Sequence, residues 1–189
     1  IIQSAPSIFN YSGIGDVLCF YTGVLDWQFA NKKNKCEKKW EYNSDLATES
    51  LKYVDDLLAN IEHVKTMNEK GIDTIIRAHQ WGGNSFFSSG WNPRHIEGIE
   101  HFFFYNLEFL TNKKFIHGQP VCLGFVLGCL LHNKLEDKFK TIGNYYLIKN
   151  LNPLQLTRPC PPDIHVTQAQ LLMTHAYFAH HQLIINLVI

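Results

Sequence analysis

Apolar residues recur at helical spacing along most of the chain. Between residues 15 and 30 they fall at positions 17, 18, 21, 24, 25 and 29, which predicts a helix with one wide buried stripe. A similar spacing runs from Leu46 to Val64. Asn43 offers an N-terminal cap for this second helix, and Gly71 suits its C-terminal stop.

The middle of the chain alternates helical patterns with breaks. A third helix is predicted over about 72–81, before the glycine- and serine-rich stretch 81–93, which indicates a broken helix or a loop. The spacing predicts a fourth helix over about 97–110. Pro120 then suits the first turn of a fifth, which is apolar on all sides over 121–131 and is therefore expected to be central and fully buried.

The last part of the pattern predicts two further helices. They cover roughly 135–147 and 167–181, on either side of a proline-rich link at 152–163. No segment alternates with the two-residue period of a strand. The sequence thus predicts an all-α bundle of about six to eight helices, with residues 1–189 forming one domain.

Composition narrows the class of protein. Apolar residues make up 46% and aromatic residues 13%, as in a globular chain. Lys+Arg and Asp+Glu both count 17, so no net charge favours a nucleic acid or a membrane surface as partner. The apolar stretches are too short to span a bilayer. Five cysteines without a CxxC pair indicate reduced thiols, and we expect a cytoplasmic protein.

Three residues are candidates for metal chemistry. His101 and His117 flank a turn between two predicted helices, and Asp16 follows Gly13 and Gly15, which are expected to form a tight turn into a helix. One interpretation is packing for the histidines and a helix N-terminal position for the carboxylate. The other is a site of two imidazoles and one carboxylate, suited to Zn²⁺ or Fe²⁺ with one coordination position open. The residues alone leave both interpretations open.

Four blocks carry a resemblance to a known family. APSIFNYSGIGDVLCFYTGVLDWQFA (5–30) resembles the start of the metal-binding domain of sn-glycerol-1-phosphate dehydrogenases, with Gly-x-Gly-Asp followed by Tyr-Thr and Asp-Trp. GIEHFF (98–103) and HGQPVCLG (117–124) resemble the family's Gly-Ser-Glu-His and His-Gly-Glu-x-Val-x-x-Gly segments. The stretch 161–176 resembles its C-terminal block. Iron-containing alcohol dehydrogenases and dehydroquinate synthase belong to the same wider superfamily.

The resemblance implies a metal site and a second domain. It makes Asp16, His101 and His117 the ligands of a divalent ion, with Zn²⁺ first and Fe²⁺ or Ni²⁺ as alternatives. In the family an N-terminal α/β domain binds NAD(P), so this chain is expected to be only the C-terminal helical domain and to be inactive by itself. The implied substrate is a small phosphorylated polyol or ketone. The aromatic stretch 101–109 is interpreted as core or as a subunit contact, which makes a homo-oligomer one expectation.

Roles around the site are assigned on the same resemblance. Arg94 and Gln119 are candidates for binding the substrate, and His95 or Tyr105 for relaying a proton. The chain also departs from the family: Gln119 replaces a common Glu, Tyr105 a frequent second His, and Phe20 a polar residue. These departures keep two alternatives open. One is a degenerate, non-catalytic helical domain, and the other is a cyclase related to dehydroquinate synthase, which the Tyr-Thr and Asp-Trp block disfavours.

Overall fold

The computed structural model describes residues 4–134, and within that range the chain forms α-helices, one short 3₁₀ helix and no strand. The helices are α1 (Ser7–Lys32), α2 (Ser44–Ala59), α3 (Ile61–Thr66), α4 (Glu69–Ser88), α5 (Ile99–Thr111) and α6 (Gly118–Leu131), with the 3₁₀ turn at Lys38–Trp40. The all-α prediction is confirmed for these residues. The helices predicted at 135–147 and 167–181 lie outside them. No α-helix in the range 4–134 has the length and apolarity needed to cross a bilayer.

Helix α1 is the centre of the fold because α2, α4, α5 and α6 all pack against it. Its apolar residues face several neighbours rather than one stripe, and Ile14, Val17 and Leu18 are completely buried. Leu57 from α2 and Phe125 from α6 complete the same core cluster. Burying one such side chain contributes about 1.5–3 kcal/mol, so this cluster is a main source of the bundle's stability.

The predicted turn at Gly13 and Gly15 is wrong. Helix α1 begins at Ser7 and continues through both glycines, so Asp16 lies inside the helix and not at its N-terminus. A Cβ atom on Gly15 would lie 2.6 Å from the carbonyl oxygen of Gly118. Glycine is therefore needed here for the close approach of α1 and α6, and not for a special backbone conformation.

The second predicted helix is divided in two. Asn43 caps α2 as expected, since its side chain accepts hydrogen bonds from the N–H groups of Asp45 (3.0 Å) and Leu46 (2.9 Å). The helix then breaks after Ala59, and α3 ends at Thr66, before Met67, which has a positive φ of 49°. Gly71 is not the stop that the sequence suggested.

Gly71 instead belongs to the first turn of α4, where Asn68 accepts a hydrogen bond from its N–H at 3.1 Å. The same helix continues through Gly82 and Gly83 to Ser88, so the break predicted within 81–93 begins only after that residue. Gly82 lies against the ring of Phe20, and a Cβ at this position would come within 2.9 Å of it. Its glycine allows α4 to pack closely on α1.

The last two described helices agree with the predicted ones. Helix α5 ends before Asn112, which has a positive φ of 51°, and α6 contains Pro120 in its first turn. Most of α6 is buried, but Leu130 is 56% exposed, so the helix is not fully buried as predicted. The start of α5 packs against the middle of α6, since a Cβ on Gly124 would lie 2.7 Å from the Cα of Glu100, and the candidate site lies where these two helices meet α1.

Candidate metal centre

Three helices bring Asp16, His101 and His117 together. Asp16 projects from the middle of α1, His101 lies in the first turn of α5, and His117 immediately precedes α6. One ligand atom from each lies within 4.8 Å of the other two. The Nε2 atoms of His101 and His117 are 3.2 Å apart, and Nε2 of His117 is 3.4 Å from Oδ1 of Asp16.

Close backbone contacts fix this geometry. The start of α6 packs directly on α1. The two helices are so close here that a Cβ on Gly118 would overlap the backbone of Ser12. The start of α5 is held to α1 by Asp26, whose Oδ2 accepts a hydrogen bond from the N–H of Ile99 at 2.6 Å. The other carboxylate oxygen of Asp26 accepts from His132 Nε2 at 2.6 Å, just after the end of α6. The contacts of Gly118 and of Ile99 position the helix starts that carry the two histidines.

The carboxylate of Asp16 is poorly satisfied by its surroundings. Its Oδ1 atom is buried and forms no hydrogen bond with the residues that the structure describes. Burial raises the pKa of Asp16 from 3.8 to about 7; the charge of His101 opposes this, and Glu97 and Glu100 add to it. Buried polar atoms nearly always have partners. A cation bound beside this oxygen would supply one and would favour the ionised form.

The two histidines have different electrostatic surroundings. Burial lowers the pKa of His101, but the hydrogen bond and charge of Glu100, with further negative charge from Glu97 and Asp16, leave it raised. The pKa of His117 is lowered by burial and by the charge of His101, against an opposing effect of Glu108. His117 is therefore neutral near pH 7 and has a lone pair available for a metal ion.

Glu100 is a completely buried carboxylate beside the candidate ligands. Its Oε2 accepts a hydrogen bond from the Thr22 hydroxyl at 2.6 Å. Its Oε1 accepts from the N–H of Gly98 and lies 3.1 Å from Nδ1 of His101. Every oxygen of this buried group therefore has at least one donor.

A second set of three potential ligands, Cys19, Glu100 and His101, overlaps the first. The thiol of Cys19 donates to the carbonyl oxygen of Gly15 at 3.0 Å, and burial together with the charge of Glu100 raises its pKa well above the ordinary value. Metal ions bind the thiolate, which these surroundings disfavour. The contacts of this set are those of a hydrogen-bonded cluster and not of a metal site.

The set formed by Asp16, His101 and His117 fits a divalent ion. Two nitrogens and one oxygen are donors that zinc and iron accept, and three protein ligands leave a position open. Two Zn–N bonds of about 2.0–2.1 Å at a tetrahedral angle place the nitrogens roughly 3.3 Å apart. The observed separation is 3.2 Å. With the unsatisfied oxygen of Asp16, the geometry and the chemistry of the donors agree.

The three residues open into a cavity of about 210 Å³. Phe20 and Ile96 form apolar parts of its wall, and Gly82 and Gly83 leave room on the side of α4. The full lining consists of Asp16, Phe20, His79, Gly82, Gly83, Ile96, Glu97, His101 and His117. The cavity therefore has room for a small polar molecule beside the candidate metal ligands.

His79 and Glu97 are lining residues to which the sequence analysis gave no role. Nε2 of His79 lies 3.0 Å from the carbonyl oxygen of Gly13, and burial lowers its pKa. Its spacing to Gly82 and Gly83 puts all three on one face of a helix. That signal was lost because the glycines were assigned to a loop. Glu97 carried no signal apart from its proximity to His101 in the sequence.

The structure places two of the predicted substrate and proton-relay residues away from the cavity. His95 is completely buried next to Trp27 and Trp81, with Nε2 2.8 Å from Ser85 Oγ, and burial lowers its pKa to about 4. Arg94 pairs with Glu37 through two hydrogen bonds of 2.6 and 3.0 Å. Neither belongs to the cavity lining.

The other two predicted residues lie close to the candidate ligands. The ring of Tyr105 is 6.4 Å from that of His101, and its side chain is exposed. Burial of the hydroxyl and the charge of Glu97 raise the pKa of Tyr105. Gln119 is buried in the first turn of α6, two residues after His117. Neither lines the cavity itself.

Comparison with known proteins identifies relatives of the chain. No family model matches it. The glycerol-1-phosphate dehydrogenase [NAD(P)+] of Pyrococcus abyssi is 31% identical over 147 residues, which are 76% of this chain and 41% of that protein. The protein of the same name from Aeropyrum pernix is 31% identical, with 40% of its length covered. That of Methanosarcina acetivorans is 29% identical over the same share of this chain.

The similarity covers most of this chain but a smaller share of the relatives. The chain spans about two fifths of the length of these curated proteins, at 40–41%. Matches of this kind recur across several organisms under one name, and each covers 76% of the chain. Over about three quarters of its length, the chain is therefore homologous to part of the glycerol-1-phosphate dehydrogenases.

Proposed function

We propose that Asp16, His101 and His117 hold a divalent metal ion, and that the chain is the metal-binding catalytic part of an NAD(P)-dependent dehydrogenase. The observation that carries this proposal is the convergence of three ligand atoms within 4.8 Å at a cavity, with one buried oxygen of Asp16 lacking a hydrogen-bond partner among the described residues. Zn²⁺ is our first choice for the ion because the donors are two imidazoles and one carboxylate, with Fe²⁺ and Ni²⁺ as alternatives.

The reaction proposed is the interconversion of a ketone and an alcohol on a small phosphorylated substrate such as dihydroxyacetone phosphate. When bound, the ion would stabilise negative charge on the substrate oxygen that gains or loses a proton. Phe20 and Ile96 would keep water from one side of the substrate, while His79 and Glu97 present polar atoms to its hydroxyl groups. The substrate class rests on the names of the relatives, which are glycerol-1-phosphate dehydrogenases.

The nicotinamide cofactor is assigned to another part of the protein. The relatives are named as NAD(P)+ enzymes, and this chain corresponds to about two fifths of their length. We propose that the remaining portion, an N-terminal α/β domain in the family, binds NAD(P) beside the cavity. The chain by itself would then bind the metal ion without oxidising glycerol 1-phosphate. Turnover by the chain alone would contradict this two-domain arrangement.

Tyr105 is our preferred candidate for the proton relay, and its position favours it over His95. Tyr105 is exposed, and its ring lies 6.4 Å from that of His101, whereas His95 is completely buried. His95 is enclosed by aromatic rings and is given a packing role. We assign the substrate phosphate to neither Arg94, which is paired with Glu37, nor any residue of the described cavity lining, which contains no lysine or arginine. Substrate binding by Gln119 stays a prediction, and this residue does not line the cavity.

Metal binding by residues 1–189 is the direct test. The wild-type chain should bind about one equivalent of Zn²⁺ in a titration monitored by calorimetry, with a competing chelator if the affinity is high. Asp16→Asn and His117→Asn should each weaken binding at least about 100-fold, because a two-ligand site no longer encloses the ion. His63→Asn is the matched control, since His63 lies on α3 and outside the cavity lining. It should leave the affinity unchanged.

This titration, together with an assay of enzymatic activity, separates the competing functions. A wild-type chain that binds less than a tenth of an equivalent, even after metal is added, would support the non-catalytic helical domain instead. A protein that binds metal but converts a sugar phosphate to a ring, with no net oxidation of dihydroxyacetone phosphate or its alcohol, would support the cyclase alternative. The cytoplasmic location and the homo-oligomer stay predictions.

A further inference from the structure

We propose that Glu100 is a positioning residue that fixes the imidazole of His101 so that Nε2 faces the metal ion. This inference rests on the proposed metal site, because it assigns the carboxylate a task only if His101 is a ligand. Glu100 does not line the cavity. It acts through His101 alone.

The tautomer of His101 follows from what faces each ring nitrogen. Nδ1 lies 3.1 Å from Oε1 of Glu100, and an ionised carboxylate can only accept a hydrogen bond. In the neutral imidazole, Nδ1 must therefore carry the proton, and Nε2 has the free lone pair. That second nitrogen is the one that lies 3.2 Å from Nε2 of His117. The contact with Glu100 thus selects the form of the imidazole that can bind a metal ion.

Glu100 is itself held in place from three directions. The Thr22 hydroxyl from α1 donates to Oε2 at 2.6 Å, and the N–H of Gly98 donates to Oε1. Helix α6 closes the remaining side, since a Cβ on Gly124 would lie 2.7 Å from the Cα of Glu100. A completely buried carboxylate without donors would be costly, and this one has three. Its orientation, and hence that of His101, is fixed before any ion binds.

The charge of Glu100 has no counterpart at residue 119. Gln119 follows His117 by two residues and is neutral, so it supplies no negative charge to that ligand. Among the residues that the structure describes, Glu100 is the carboxylate that hydrogen bonds to the second ring nitrogen of a candidate ligand. Negative charge behind a ligating imidazole strengthens its bond to a metal ion, so the charge of Glu100 should matter as well as its shape.

Glu100→Gln separates charge from shape. A glutamine can accept from Gly98 and His101 through its carbonyl oxygen and donate to Thr22 through its amide, so the packing is retained while the charge is lost. We expect the affinity for Zn²⁺ to fall roughly 10- to 100-fold. Glu37→Gln is the matched control: it removes a carboxylate that pairs with Arg94 on the surface, and the affinity should not change.

Nuclear magnetic resonance gives a readout that a purely structural role would not move. The ¹⁵N shifts of the His101 ring in the metal-free chain, at mildly alkaline pH, should report the Nδ1–H tautomer in the wild type and a larger share of Nε2–H in Glu100→Gln. The wild-type measurement requires no variant and stays decisive if the substitution impairs folding.

Three results are distinguishable. A wild-type chain that does not bind Zn²⁺ refutes the metal site itself. A wild type that binds Zn²⁺ while its His101 ring is the Nε2–H tautomer refutes the role of Glu100 alone. So does a folded Glu100→Gln variant with the same tautomer and an affinity within about threefold of wild type.

Discussion

The Nε2 atoms of His101 and His117 lie 3.2 Å apart although the residues begin two different helices. Neither helix alone determines the position of its histidine, because contacts with α1 hold the start of each helix. Asp26 on α1 holds the start of α5 through the N–H of Ile99, and Gly118 lets the start of α6 touch α1. The candidate site is therefore a product of tertiary packing, and whatever binds there is coupled to the stability of the bundle.

The first prediction is that Zn²⁺ raises the thermal stability of the chain. An ion that binds only the folded state adds about 2.7 kcal/mol at a free concentration 100 times its Kd. The midpoint of unfolding, followed by circular dichroism, should rise by several degrees with Zn²⁺. The rise should be absent in Asp16→Asn. A midpoint that does not depend on Zn²⁺ in the wild type would argue against specific binding to the folded chain.

The second prediction concerns the contact between α1 and α6. Gly118→Ala should destabilise the fold by about 1–3 kcal/mol and should also weaken Zn²⁺ binding, because its Cβ would overlap the backbone of Ser12 and push His117 away. The measurement is urea unfolding combined with a metal titration.

Gly83→Ala is the control for this prediction. Gly83 is also helical, but a Cβ at this position would meet nothing within 4 Å. Alanine should stabilise the helix there by about 0.5–1 kcal/mol through its better propensity. Equal effects of the two substitutions would show that close packing at Gly118 does not decide the geometry of the site.

The glycines also show where sequence-based prediction succeeded and where it failed. The spacing of apolar residues located α5 well, and the continuous apolar run located α6, because buried helix positions carry apolar residues. It misassigned Gly15, Gly71 and Gly82, since a sequence does not distinguish a glycine needed for a turn from one needed because another helix lies against it. All three belong to helices, and at each a Cβ would collide with another part of the chain.

The residues of the candidate site were also predicted only in part. Asp16, His101 and His117 were selected through the family resemblance, and the fold brings them together. Arg94 is close to His101 in sequence, yet its side chain extends to Glu37, a partner 57 positions away that no local pattern indicates. His79 was passed over because its helix was ended too early. Without the family resemblance, the sequence could not assign residues that only tertiary contacts bring together.

The third prediction is a pH effect on stability from His95. Burial lowers the pKa of His95 from 6.5 to about 4, so between these values the unfolded chain binds a proton that the folded chain does not. This contribution is fully present above pH 6.5 and is lost as the pH falls towards 4. Its full size is about 3 kcal/mol.

His95→Phe provides the comparison for this effect. Phenylalanine fits between the same aromatic rings and does not titrate, while Ser85 keeps its hydrogen bond to the carbonyl oxygen of Gly82 at 3.0 Å. Other groups, including Asp16, titrate in both proteins and cancel in the difference. Urea unfolding between pH 7 and pH 4 should show the wild type losing more stability than the variant. Parallel curves would mean that His95 is protonated in the folded chain as easily as in the unfolded one.

The fourth prediction separates the two contacts of Asp26. Asp26→Ala removes both the acceptor for the N–H of Ile99 and the partner of His132. Loss of this helix N-terminal acceptor should cost about 0.5–2 kcal/mol, and the shift of α5 should weaken Zn²⁺ binding roughly tenfold although Asp26 is not a ligand. His132→Gln changes only the second contact and keeps the hydrogen bond to Ile99. It should therefore retain the wild-type affinity, measured in the same titration. If His132→Gln weakens binding as much as Asp26→Ala does, the end of α6 and not the start of α5 controls the position of His101.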